Sequence, residues 1–363
     1  MGAILTVNSG SSSLKASLFR ADGTRRDWHY QDTGHSEAFD ALLKDLDGEM
    51  PEAIGHRFVH GGDVAEAARI LDEAEVDRLR GLTRLAPLHM PGNLLGVELC
   101  RARFAAPQMA CFDTAFHHTM PELARRLPIP PALGMDRYGF HGLNYAYIAS
   151  RLPEMLGQVA HGRIIAAHLG AGASLCLMRG LKSVDTTMGY TPAGGIPMGT
   201  RSGDLDPGVM LELAGRYDPA GLSDLVNHGM GLLALSNGES GDMRALLASE
   251  STDARFAVEY FCYHVCAAIG ALAAKAGGID ALVFSGGIGE NAPDIRARIC
   301  APLGFLGLTL DPDANRANAT LISAPGAKPV LRLVADEEVV IRDLVTGLLA
   351  GPVPMSGNGR TIR

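Results

Sequence analysis

Short apolar runs that end in small polar residues mark the beginning of the chain. Ala3–Val7 is apolar and leads into Asn8 and the segment Ser9–Ser13, after which Leu14–Phe19 alternates apolar and polar positions. Alternation interrupted by turn residues is typical of two strands joined by a tight loop. The pattern therefore predicts a strand, a polar loop and a second strand at the start of the fold.

The same layout returns in the second half of the chain. Arg163–Ala167 is apolar, residues 168–174 are small apart from His168 and Leu169, and Leu175–Met178 is apolar again. The segment ILTVNSGSSSLKASL is thus echoed by IIAAHLGAGASLCLM. Two strand–loop–strand units in two halves of one chain predict a duplicated architecture.

Helical spacing and further strands lie between and after these units. The pattern predicts helices over Asp72–Leu82, Phe256–Ala276 and Pro293–Ile299, and strands over Met109–Phe112 and Ala281–Phe284. Strands that alternate with helices are typical of an α/β fold. At 363 residues, two domains are the default expectation.

Composition narrows the function classes. The formal net charge is −8, which argues against a nucleic-acid-binding surface. The six cysteines contain no C-x-x-C pair, so neither a zinc nor a redox motif is expected. Cys262 and Cys266 lie one helical turn apart in an apolar stretch, and we expect them in the core. Cysteines without a disulfide framework are typical of a reducing cytosol.

Membrane attachment is not expected from the sequence. The first apolar run has no basic leader or cleavage site of a signal peptide, and no apolar run reaches the roughly 18 residues of a transmembrane helix. Met1 and Gly2 followed by Thr6 match a myristoylation pattern, but the same residues open a predicted buried strand. The protein is therefore expected to be cytoplasmic, without a membrane partner.

Three loops rich in glycine or serine follow predicted strands: Ser9–Ser13, Gly170–Ser174 and Gly286–Asn291. Such loops present backbone N–H groups without obstruction by side chains, which suits phosphate oxygens or a ribose. A single loop would be explained equally well by a tight hairpin, whereas three favour a nucleotide site. None matches the Walker or the Rossmann pattern.

Two arginines and two histidines stand in glycine-rich surroundings. Arg57 lies in GHRFVHGG and Arg201 in MGTRSGD. Neither fits the polar face of an amphipathic helix, so we expect both to bind anions. His141 and His168 lie beside glycines at the ends of predicted elements, which favours ligand-facing positions over core positions. His56 and His60 have the spacing of a helical metal pair, but the flanking glycines argue against a helix and a zinc site.

Two acidic residues lie at loop positions. Asp113 follows the strand Met109–Phe112, and Glu337 lies in the run ADEE. Carboxylates at strand ends of nucleotide enzymes commonly hold Mg²⁺ or its water molecules. Taken alone, Glu337 is explained better as part of a solvated acidic cluster at a helix start.

Together these segments resemble the acetate kinase family. The matching motifs run from end to end in the family's order: NSGSSSLK (8–15), GHRFVHGG (55–62), LAPLHMP (85–91), FDTAFHHTMP (112–121), RYGFHG (137–142), HLGAGAS (168–174), residues 182–206 and GGIGEN (286–291). The resemblance implies two duplicated ribonuclease-H-like α/β domains of the actin-like ATPase fold, with a nucleotide cleft between them. It implies an acyl-substrate domain over 1–116 plus 339–363, and a nucleotide-binding domain over 117–338.

The resemblance also implies roles for individual residues. Asn8 and Glu337 would hold Mg²⁺, for which Mn²⁺ is an alternative. Asp113, His141 and Arg201 would be catalytic, with the last two stabilising the phosphoryl group. Arg57 would bind the substrate carboxylate. Val59, Leu88, Phe140 and Pro192 would form the methyl pocket. ATP would be bound by Lys15, His168, Leu169, Gly170, Ala171, Gly172, Asp242, Met243, Arg244, Gly287, Ile288, Gly289, Glu290 and Asn291.

The chemistry of phosphorylating a carboxylate suits this set of residue types. The nucleophile is already ionised at neutral pH, so the obstacle is bringing one anion up to another. Two unit charges about 4 Å apart repel by on the order of 4 kcal/mol at an effective dielectric near 20. Phosphoryl transfer therefore needs positioning and positive charge. On this logic we expect Asp113 to position water on Mg²⁺ or an arginine rather than to remove a proton.

The sequence departs from the family's usual pattern at several places. Met90 stands where Asn is usual, Leu143-Asn144-Tyr145 where Thr-Ser-His is usual, Ala171 where Asn is usual, and Ala193-Gly194-Gly195 where Leu-Glu-Gly is usual. The segment between the first hairpin and Arg57 is also shorter than is typical. The charged motif residues are all retained.

Three functions follow from the resemblance. The first is reversible, ATP-dependent phosphorylation of acetate. The second is phosphorylation of propionate or another short-chain carboxylate. The third, motivated by Ala171 and the altered 143–145 segment, is nucleotide binding without catalysis. Val59 narrows the expected methyl pocket and favours acetate, while the retained charged residues favour an enzyme. The family is usually dimeric, so a homodimer is expected.

Overall fold

The computed structural model describes residues 2–9, 13–31 and 34–351. The predicted mobile tail after Pro352 and residues 10–12 of the first predicted loop lie outside these ranges. The first half contains the strands β1 (Ile4–Ser9), β2 (Ser13–Phe19), β3 (Arg25–Gln31), β4 (Ala53–Phe58), β5 (Ala68–Ile70) and β6 (Gln108–Phe112). The second half contains β7 (Arg163–Leu169), β8 (Ala173–Arg179), β9 (Lys182–Thr186), β10 (Ala281–Ser285) and β11 (Val330–Arg332).

The strands form two sheets with a common topology, in the orders β3-β2-β1-β4-β6-β5 and β11-β10-β7-β8-β9. In each sheet the first three strands are antiparallel neighbours, and the next strand, β4 or β10, lies parallel to the first. A further parallel strand, β6 or β11, follows, and β5 extends the first sheet. The duplicated α/β architecture predicted from the echoed segments is therefore confirmed.

Helices cover and connect the sheets. They are α1 (His35–Asp45), α2 (Glu73–Gly81), α3 (Met90–Arg103), α4 (Glu122–Arg125), α5 (Gly142–Leu156), α6 (Pro207–Arg216), α7 (Pro219–His228), α8 (Gly231–Leu235), α9 (Met243–Ala248), α10 (Thr252–Ala276), α11 (Gly286–Asn291), α12 (Pro293–Cys300), α13 (Pro312–Arg316) and α14 (Glu337–Ala350). Short 3₁₀ helices span Thr83–Leu85, Ala115–Thr119, Pro131–Leu133, Gly157–His161 and Ala301–Leu306. The helices and strands predicted from the pattern are all present, with small differences at their ends.

Helix α10 is the longest of the described helices. Its first turn is capped by Ser251, whose Oγ accepts a hydrogen bond from the amide of Ala254 at 3.0 Å, and it ends at Gly277 in the left-handed conformation. By length and hydropathy alone α10 could cross a membrane, but core helices satisfy the same criterion. Phe261, Val265 and others along α10 are buried in the core cluster that includes β7, so α10 packs as a core helix.

Two glycines allow close approaches that bring distant segments together. A Cβ on Gly55 of β4 would lie 2.4 Å from Cγ2 of Ile341 and 2.7 Å from Cγ2 of Val345, so glycine lets α14 pack directly on β4. A Cβ on Gly142 would lie 2.0 Å from the carbonyl oxygen of Asp113. The first contact brings the start of α14 to the end of β4, and the second brings the start of α5 to the end of β6.

Candidate active site

A cavity of about 320 Å³ lies where the carboxyl ends of β1, β4, β6 and β7 meet. Ligands commonly bind at this edge of α/β sheets. The residues that line it are Asn8, Ser13, Lys15, Arg57, Val59, His89, Asp113, Phe140, His141, His168, Gly170, Ala171, Gly172, Pro192, Arg201 and Glu337. Five charged residues named from the sequence are thus brought together from both halves of the chain: Lys15, Arg57, Asp113, Arg201 and Glu337.

Arg57 and Asp113 form a buried ion pair at one wall of the cavity. Nε and Nη2 of Arg57 both donate to Oδ2 of Asp113, at 2.9 and 2.6 Å, and the Asp113 side chain is 0% exposed. Burial raises the pKa of Asp113 above its ordinary value, and Arg57 offsets only part of that effect. Burial disfavours the charged form of Arg57, but Asp113 and Glu337 outweigh burial and raise its pKa. Arg57 is therefore a fixed cation.

Asn8 links Arg57 to Glu337, the first residue of α14. Nδ2 of Asn8 donates to Oε2 of Glu337 at 2.9 Å, and Oδ1 of Asn8 accepts from Nη1 of Arg57 at 3.1 Å. The Glu337 side chain is 12% exposed, and the N-terminus of α14 is capped by Asp336 instead. Burial by itself would raise the pKa of Glu337. Electrostatic interactions with Arg57 and His168 and the hydrogen bond from Asn8 together have a larger effect, so the pKa is lowered. Glu337 is thus an ionised carboxylate facing the cavity, and not part of a solvated acidic cluster.

The donor chemistry of Asn8 and Glu337 fits Mg²⁺. This ion prefers oxygen ligands, keeps several water molecules and is usually held by one or two carboxylates together with phosphate oxygens. The Asn8 amide and the ionised Glu337 carboxylate lie side by side here, with the amide nitrogen on the carboxylate and the amide oxygen directed to Arg57. Among the described residues, no group of three His, Cys, Asp or Glu side chains is arranged as a metal site. The arrangement therefore suits an ion that shares its ligands with a bound phosphate group rather than one enclosed by protein.

His141 and His168 stack at the centre of the cavity. Their ring centroids are 4.0 Å apart and their planes are inclined by 18°. Burial lowers the pKa of His168 to about 4 and that of His141 well below its ordinary value, so both are neutral at pH 7. His141 has a left-handed backbone with φ of 60° immediately before α5. A residue other than glycine is strained in the left-handed backbone conformation, and such strain is typical of functional sites.

Arg201 is a buried cation against the loop Gly170–Gly172. It is 8% exposed, and its Nη1 donates to the carbonyl oxygen of Pro192 at 2.7 Å. Within the described part of the chain it makes no ion pair with a carboxylate. Burial lowers its pKa to about 10, so it stays protonated at pH 7. A Cβ on Gly172 would lie only 2.9 Å from Nη2 of Arg201, which shows how closely the guanidinium approaches this loop.

A second cavity of about 440 Å³ adjoins the first and shares Gly170 and Ala171 with it. The other residues that line it are Gly241, Asp242, Met243, Arg244, Leu247, Gly287, Ile288, Asn291, Ala292, Pro293 and Asp294. Asp242 caps α9 through hydrogen bonds from the amides of Arg244 and Ala245. The two cavities form one elongated cleft, polar and charged at one end and with more apolar surface at the other.

The prediction of a third glycine-rich loop is wrong, because Gly286–Asn291 forms the helix α11. Gly286 has φ of 77° and turns the chain after β10. Oε1 of Glu290 then accepts from the amides of Gly286 and Ala335, each at 2.9 Å. These bonds stabilise a helical turn that glycine content alone would not favour. They also direct the Glu290 carboxylate to the backbone and away from the cleft.

Four of the predicted site residues do not line either part of the cleft: Leu88, Leu169, Gly289 and Glu290. Leu169 is buried in the core at the end of β7. Leu88 lines a neighbouring cavity of about 360 Å³ that shares His89 and Pro192 with the first cavity. The remaining predicted residues line the cleft.

Several residues to which the sequence assigned no role in the site belong to it. His89 lines the first cavity, and Asn93 joins its walls by donating to the carbonyl oxygen of Ser9 at 2.8 Å and accepting from the amide of Val59 at 3.2 Å. Asn144, Tyr145 and Ser174 lie behind the two histidines. His89 lies in the recognised motif LAPLHMP, so its motif was a usable signal. In the sequence, Asn93 cannot be distinguished from an ordinary polar residue of a helix.

Comparisons with known proteins agree with one another. The model of the acetokinase family matches residues 23–343. An acetate kinase from Rhodopseudomonas palustris is 42% identical over 393 residues, covering 96% of this chain and 98% of that protein. A propionate kinase from Citrobacter rodentium is 39% identical, covering 96% and 97%. The crystal structure of Porphyromonas gingivalis acetate kinase has a TM-score of 0.81 at 33% identity, covering 96% and 100%. That of a propionate kinase from Francisella tularensis has a TM-score of 0.86 at 30% identity, covering 95% and 99%.

Proposed function

This chain belongs to the acetokinase family, and we propose that it catalyses reversible transfer of the γ-phosphoryl group of ATP to acetate, which yields acetyl phosphate and ADP. The observation that carries the proposal is the buried Arg201 guanidinium, which has no carboxylate partner among the described residues and lies against the loop Gly170–Gly172. A buried cation without a partner is costly unless an anion binds beside it. A polyphosphate and a carboxylate meeting at this point would supply that anion.

The two parts of the cleft suit chemically different parts of the substrates. The part lined by Met243, Ile288 and Leu247 has apolar surface for a nucleoside. The shared loop Gly170–Gly172 leads from it into the charged part, where Lys15 also lies. ATP bound in this direction would bring its γ-phosphoryl group to Arg201, His141 and Arg57. Predominantly positive and neutral donors around that point reduce the repulsion between two anions.

Arg57 would bind the carboxylate of acetate with the N–H groups that Asp113 and Asn8 leave free. Its other N–H groups are held by these two side chains, so the guanidinium needs little reordering on binding. Val59, Phe140 and Pro192 line the same cavity and would enclose the methyl group. The carboxylate oxygen then attacks the γ-phosphorus as the bond to the ADP oxygen breaks, and no proton has to be removed from the nucleophile.

Asn8 and Glu337 would hold Mg²⁺, with Mn²⁺ as an alternative. When bound, the ion supplies positive charge to the phosphate oxygens and neutralises charge on the leaving ADP. Asp113 would orient Arg57 and would not act as a base. His141 would donate a hydrogen bond to an oxygen of the transferring group, and Arg201 would pair with that group's charge.

Propionate is the second candidate substrate. Leu88 lines the neighbouring cavity and not the one that contains Arg57, so the proposed methyl pocket has one wall fewer than the sequence analysis expected. One methylene group changes discrimination by only about 1–3 kcal/mol in an apolar pocket. Val59 still narrows the pocket and favours acetate as the preferred acid.

A hydroxamate assay tests the proposal. Purified protein is incubated with ATP, Mg²⁺, hydroxylamine and acetate, propionate or butyrate in turn, and acyl hydroxamate is measured. We expect product with acetate, less with propionate and least with butyrate. ATP binding without product from any of the three acids would instead support the non-catalytic alternative.

We also propose domain boundaries, an oligomeric state and a location in the cell. We propose an acyl-substrate domain over 1–116 plus 339–363 and a nucleotide-binding domain over 117–338, with the cleft closing on substrate. Packing of α14 on β1 and β4 supports assigning the end of the chain to the first domain. We further propose a cytoplasmic homodimer without nucleic-acid or membrane partners.

A further inference from the structure

Buried polar side chains hold the two stacked histidines from behind: Asn144 of α5 contacts His168 directly, and Tyr145 of α5 reaches His141 through Ser174 of β8. Oγ of Ser174 lies 2.8 Å from Nδ1 of His141 and 2.6 Å from the hydroxyl oxygen of Tyr145. Nδ2 of Asn144 lies 2.8 Å from Nδ1 of His168, and Oγ of Ser285 donates to Oδ1 of Asn144 at 3.2 Å.

All four supporting side chains, Asn144, Tyr145, Ser174 and Ser285, are 0% exposed. Water therefore does not compete for these hydrogen bonds, and each donor must find its acceptor within the protein.

The hydroxyl of Tyr145 decides the direction of the first chain of hydrogen bonds. In the described residues its only side-chain partner is Ser174, and the nearby backbone amide of His168 can donate but not accept. If Nδ1 of His141 carried the proton and donated to Ser174, the Ser174 and Tyr145 hydroxyls would have only each other's oxygen as acceptor, and one of the two buried hydrogens would remain unpaired. Such a buried, unpaired donor is costly. With Tyr145 donating to Ser174 and Ser174 donating to Nδ1, every donor is paired.

The hydroxyl of Ser285 likewise determines the direction of the hydrogen bonds that run through Asn144 to His168. In the described residues its Oγ bonds to Asn144 alone. With its hydrogen on Oδ1 of Asn144, the amide nitrogen Nδ2 faces Nδ1 of His168 and donates to it. The reversed amide would leave the Ser285 hydrogen without an acceptor. Nδ1 of His168 is therefore an acceptor, and the ring proton lies on Nε2.

Both Nε2 atoms face the loop Gly170–Gly172. A Cβ on Gly172 would lie 3.4 Å from Nε2 of His141, and one on Gly170 would lie 3.8 Å from Nε2 of His168. A neutral imidazole that carries its proton on Nε2 donates to a phosphate oxygen here. The other tautomer presents a lone pair and repels that oxygen.

We propose that Tyr145, acting through Ser174, and Asn144 are positioning residues that fix both stacked histidines in the Nε2–H form, so that His141 and His168 present two neutral donors to the phosphoryl groups. This inference rests on the proposed function for its kinetic consequence. It also explains the departure from the family's usual Thr-Ser-His at 143–145, because Asn144 and Tyr145 are the residues that hold the two rings. The altered segment thus supports catalysis rather than its loss.

The tautomers are measured directly by ¹⁵N NMR of protein labelled at histidine, with His141 and His168 assigned from single-site variants. We expect both to show the neutral Nε2–H pattern near pH 7. A proton on Nδ1 of either ring would overturn the proposal. Because this spectrum needs no turnover, it decides the proposal even if the native protein makes no acyl phosphate, which would defeat the proposed function alone.

Isosteric variants test the kinetic consequence. Tyr145→Phe removes one oxygen atom, and Tyr147→Phe makes the same change two residues along α5, where the hydroxyl has no hydrogen-bond partner among the residues that the structure describes. We expect Tyr145→Phe to lower kcat by about tenfold, less than the roughly hundredfold loss on removing a transition-state donor outright, with little change in either KM. Tyr147→Phe is expected to behave as native. Equal kcat in native protein and Tyr145→Phe would contradict a positioning role.

Asn144 allows a sharper comparison. Asn144→Asp keeps the shape but places a carboxylate beside Nδ1 of His168, which draws the ring proton to that nitrogen. Asn144→Leu removes the hydrogen bond without this reversal. We expect Asn144→Asp to lose more kcat/KM for ATP than Asn144→Leu, with the His168 spectrum changed in Asn144→Asp. A merely structural role predicts the opposite order, because the aspartate retains more of the contacts.

Discussion

Arg57 gives two of its donors to a single oxygen atom of Asp113: Nε lies 2.9 Å and Nη2 lies 2.6 Å from Oδ2. Within the described ranges, the second oxygen of Asp113 accepts only a long bond of 3.4 Å from the amide of Leu143. The carboxylate therefore fixes the direction of the guanidinium, which leaves the remaining N–H groups of Arg57 for a substrate. This geometry agrees with a positioning role for Asp113, because Oδ2 is already occupied by two charge-assisted bonds from Arg57.

Replacing Asp113 with asparagine tests this role. Asp113→Asn keeps the size of the side chain but leaves Arg57 without its closest counter-charge. We expect KM for acetate to rise and kcat to fall by more than about tenfold, since a misplaced anion-binding group impairs positioning. We also expect the free energy of unfolding to fall by about 3 kcal/mol, because half of a buried ion pair is lost. The pH–rate profile is expected to keep its shape, and loss of the acidic limb, on which the rate rises with pH, would identify Asp113 as a base instead.

Arg201 and Arg296 are two buried arginines with opposite expected roles. Burial lowers the pKa of each to about 10. Arg296 donates to backbone and side-chain oxygens of Gly289, Glu290, Asn315 and Asn318, whereas Arg201 donates only to Pro192 among the described residues.

Arg201→Gln is expected to lower kcat by about 100- to 1,000-fold while changing the free energy of unfolding by less than about 1 kcal/mol. Arg296→Gln is expected to cost about 3 kcal/mol of stability because buried acceptors lose their donor, with kcat per folded molecule close to native. Steady-state kinetics and urea denaturation of both variants measure the contrast. A stability loss in Arg201→Gln equal to that in Arg296→Gln would show a structural role for Arg201.

Substrate preference tests the proposed methyl pocket. Val59 lines the cavity that contains Arg57, and Leu88 lines the neighbouring one. Val59→Ala enlarges the pocket, so the ratio of kcat/KM for propionate to that for acetate is expected to rise by about tenfold. Leu88→Ala, the matched control, is expected to leave the ratio unchanged. A larger shift in Leu88→Ala than in Val59→Ala would restore Leu88 to the pocket and remove Val59 from it.

The buried, neutral histidines make the free energy of unfolding depend on pH. Burial lowers the pKa of His56, His60, His117 and His168 to about 4 and that of His89 to about 3, and it also lowers the pKa of His141. The unfolded chain binds protons at these sites near pH 6.5 but the folded chain does not, so their contribution to stability is complete above 6.5 and is lost as the pH falls toward 4. The raised pKa values of Asp113 and Glu338 act in the opposite direction, but fewer groups are involved.

We therefore expect the free energy of unfolding to fall between pH 6.5 and 4, with each such histidine contributing up to about 1.4 kcal/mol per pH unit. His117 is fully buried and bonds to Ser183 and the carbonyl oxygen of Phe140, and it does not line the cleft. His117→Gln is expected to reduce the slope of the free energy of unfolding against pH between pH 6.5 and 4. An unchanged slope in His117→Gln would contradict the assignment of a buried neutral ring.

The sequence predicted the duplicated fold because each half repeats the same strand–loop–strand pattern around Asn8 and His168. It also identified Arg57 and Arg201, because arginines framed by glycines do not fit an ordinary surface helix. Glu337 could not be distinguished locally from a solvated acid. Its burial depends on α14 packing against Gly55, a contact between residues nearly at opposite ends of the chain.

Other features depended on contacts that no local pattern carries. The glycine content of Gly286–Asn291 predicted a loop, but hydrogen bonds from two amides to Glu290 stabilise a helix there. Asn144 and Tyr145 were visible only as departures from a motif. Their partners, Ser174 and His168, lie on two other elements, β8 and β7, so the hydrogen-bond chains that orient the histidines form only in the folded chain.

The central claim is that an acetate oxygen attacks the γ-phosphorus of ATP directly. Acetate labelled with ¹⁸O in both oxygens, incubated with ATP, Mg²⁺ and the purified protein, tests this by ³¹P NMR of the product. We predict acetyl phosphate whose bridging oxygen carries the label, which shifts its ³¹P signal, and no such product from Arg201→Gln on the same timescale. Release of inorganic phosphate without labelled acetyl phosphate would contradict the claim.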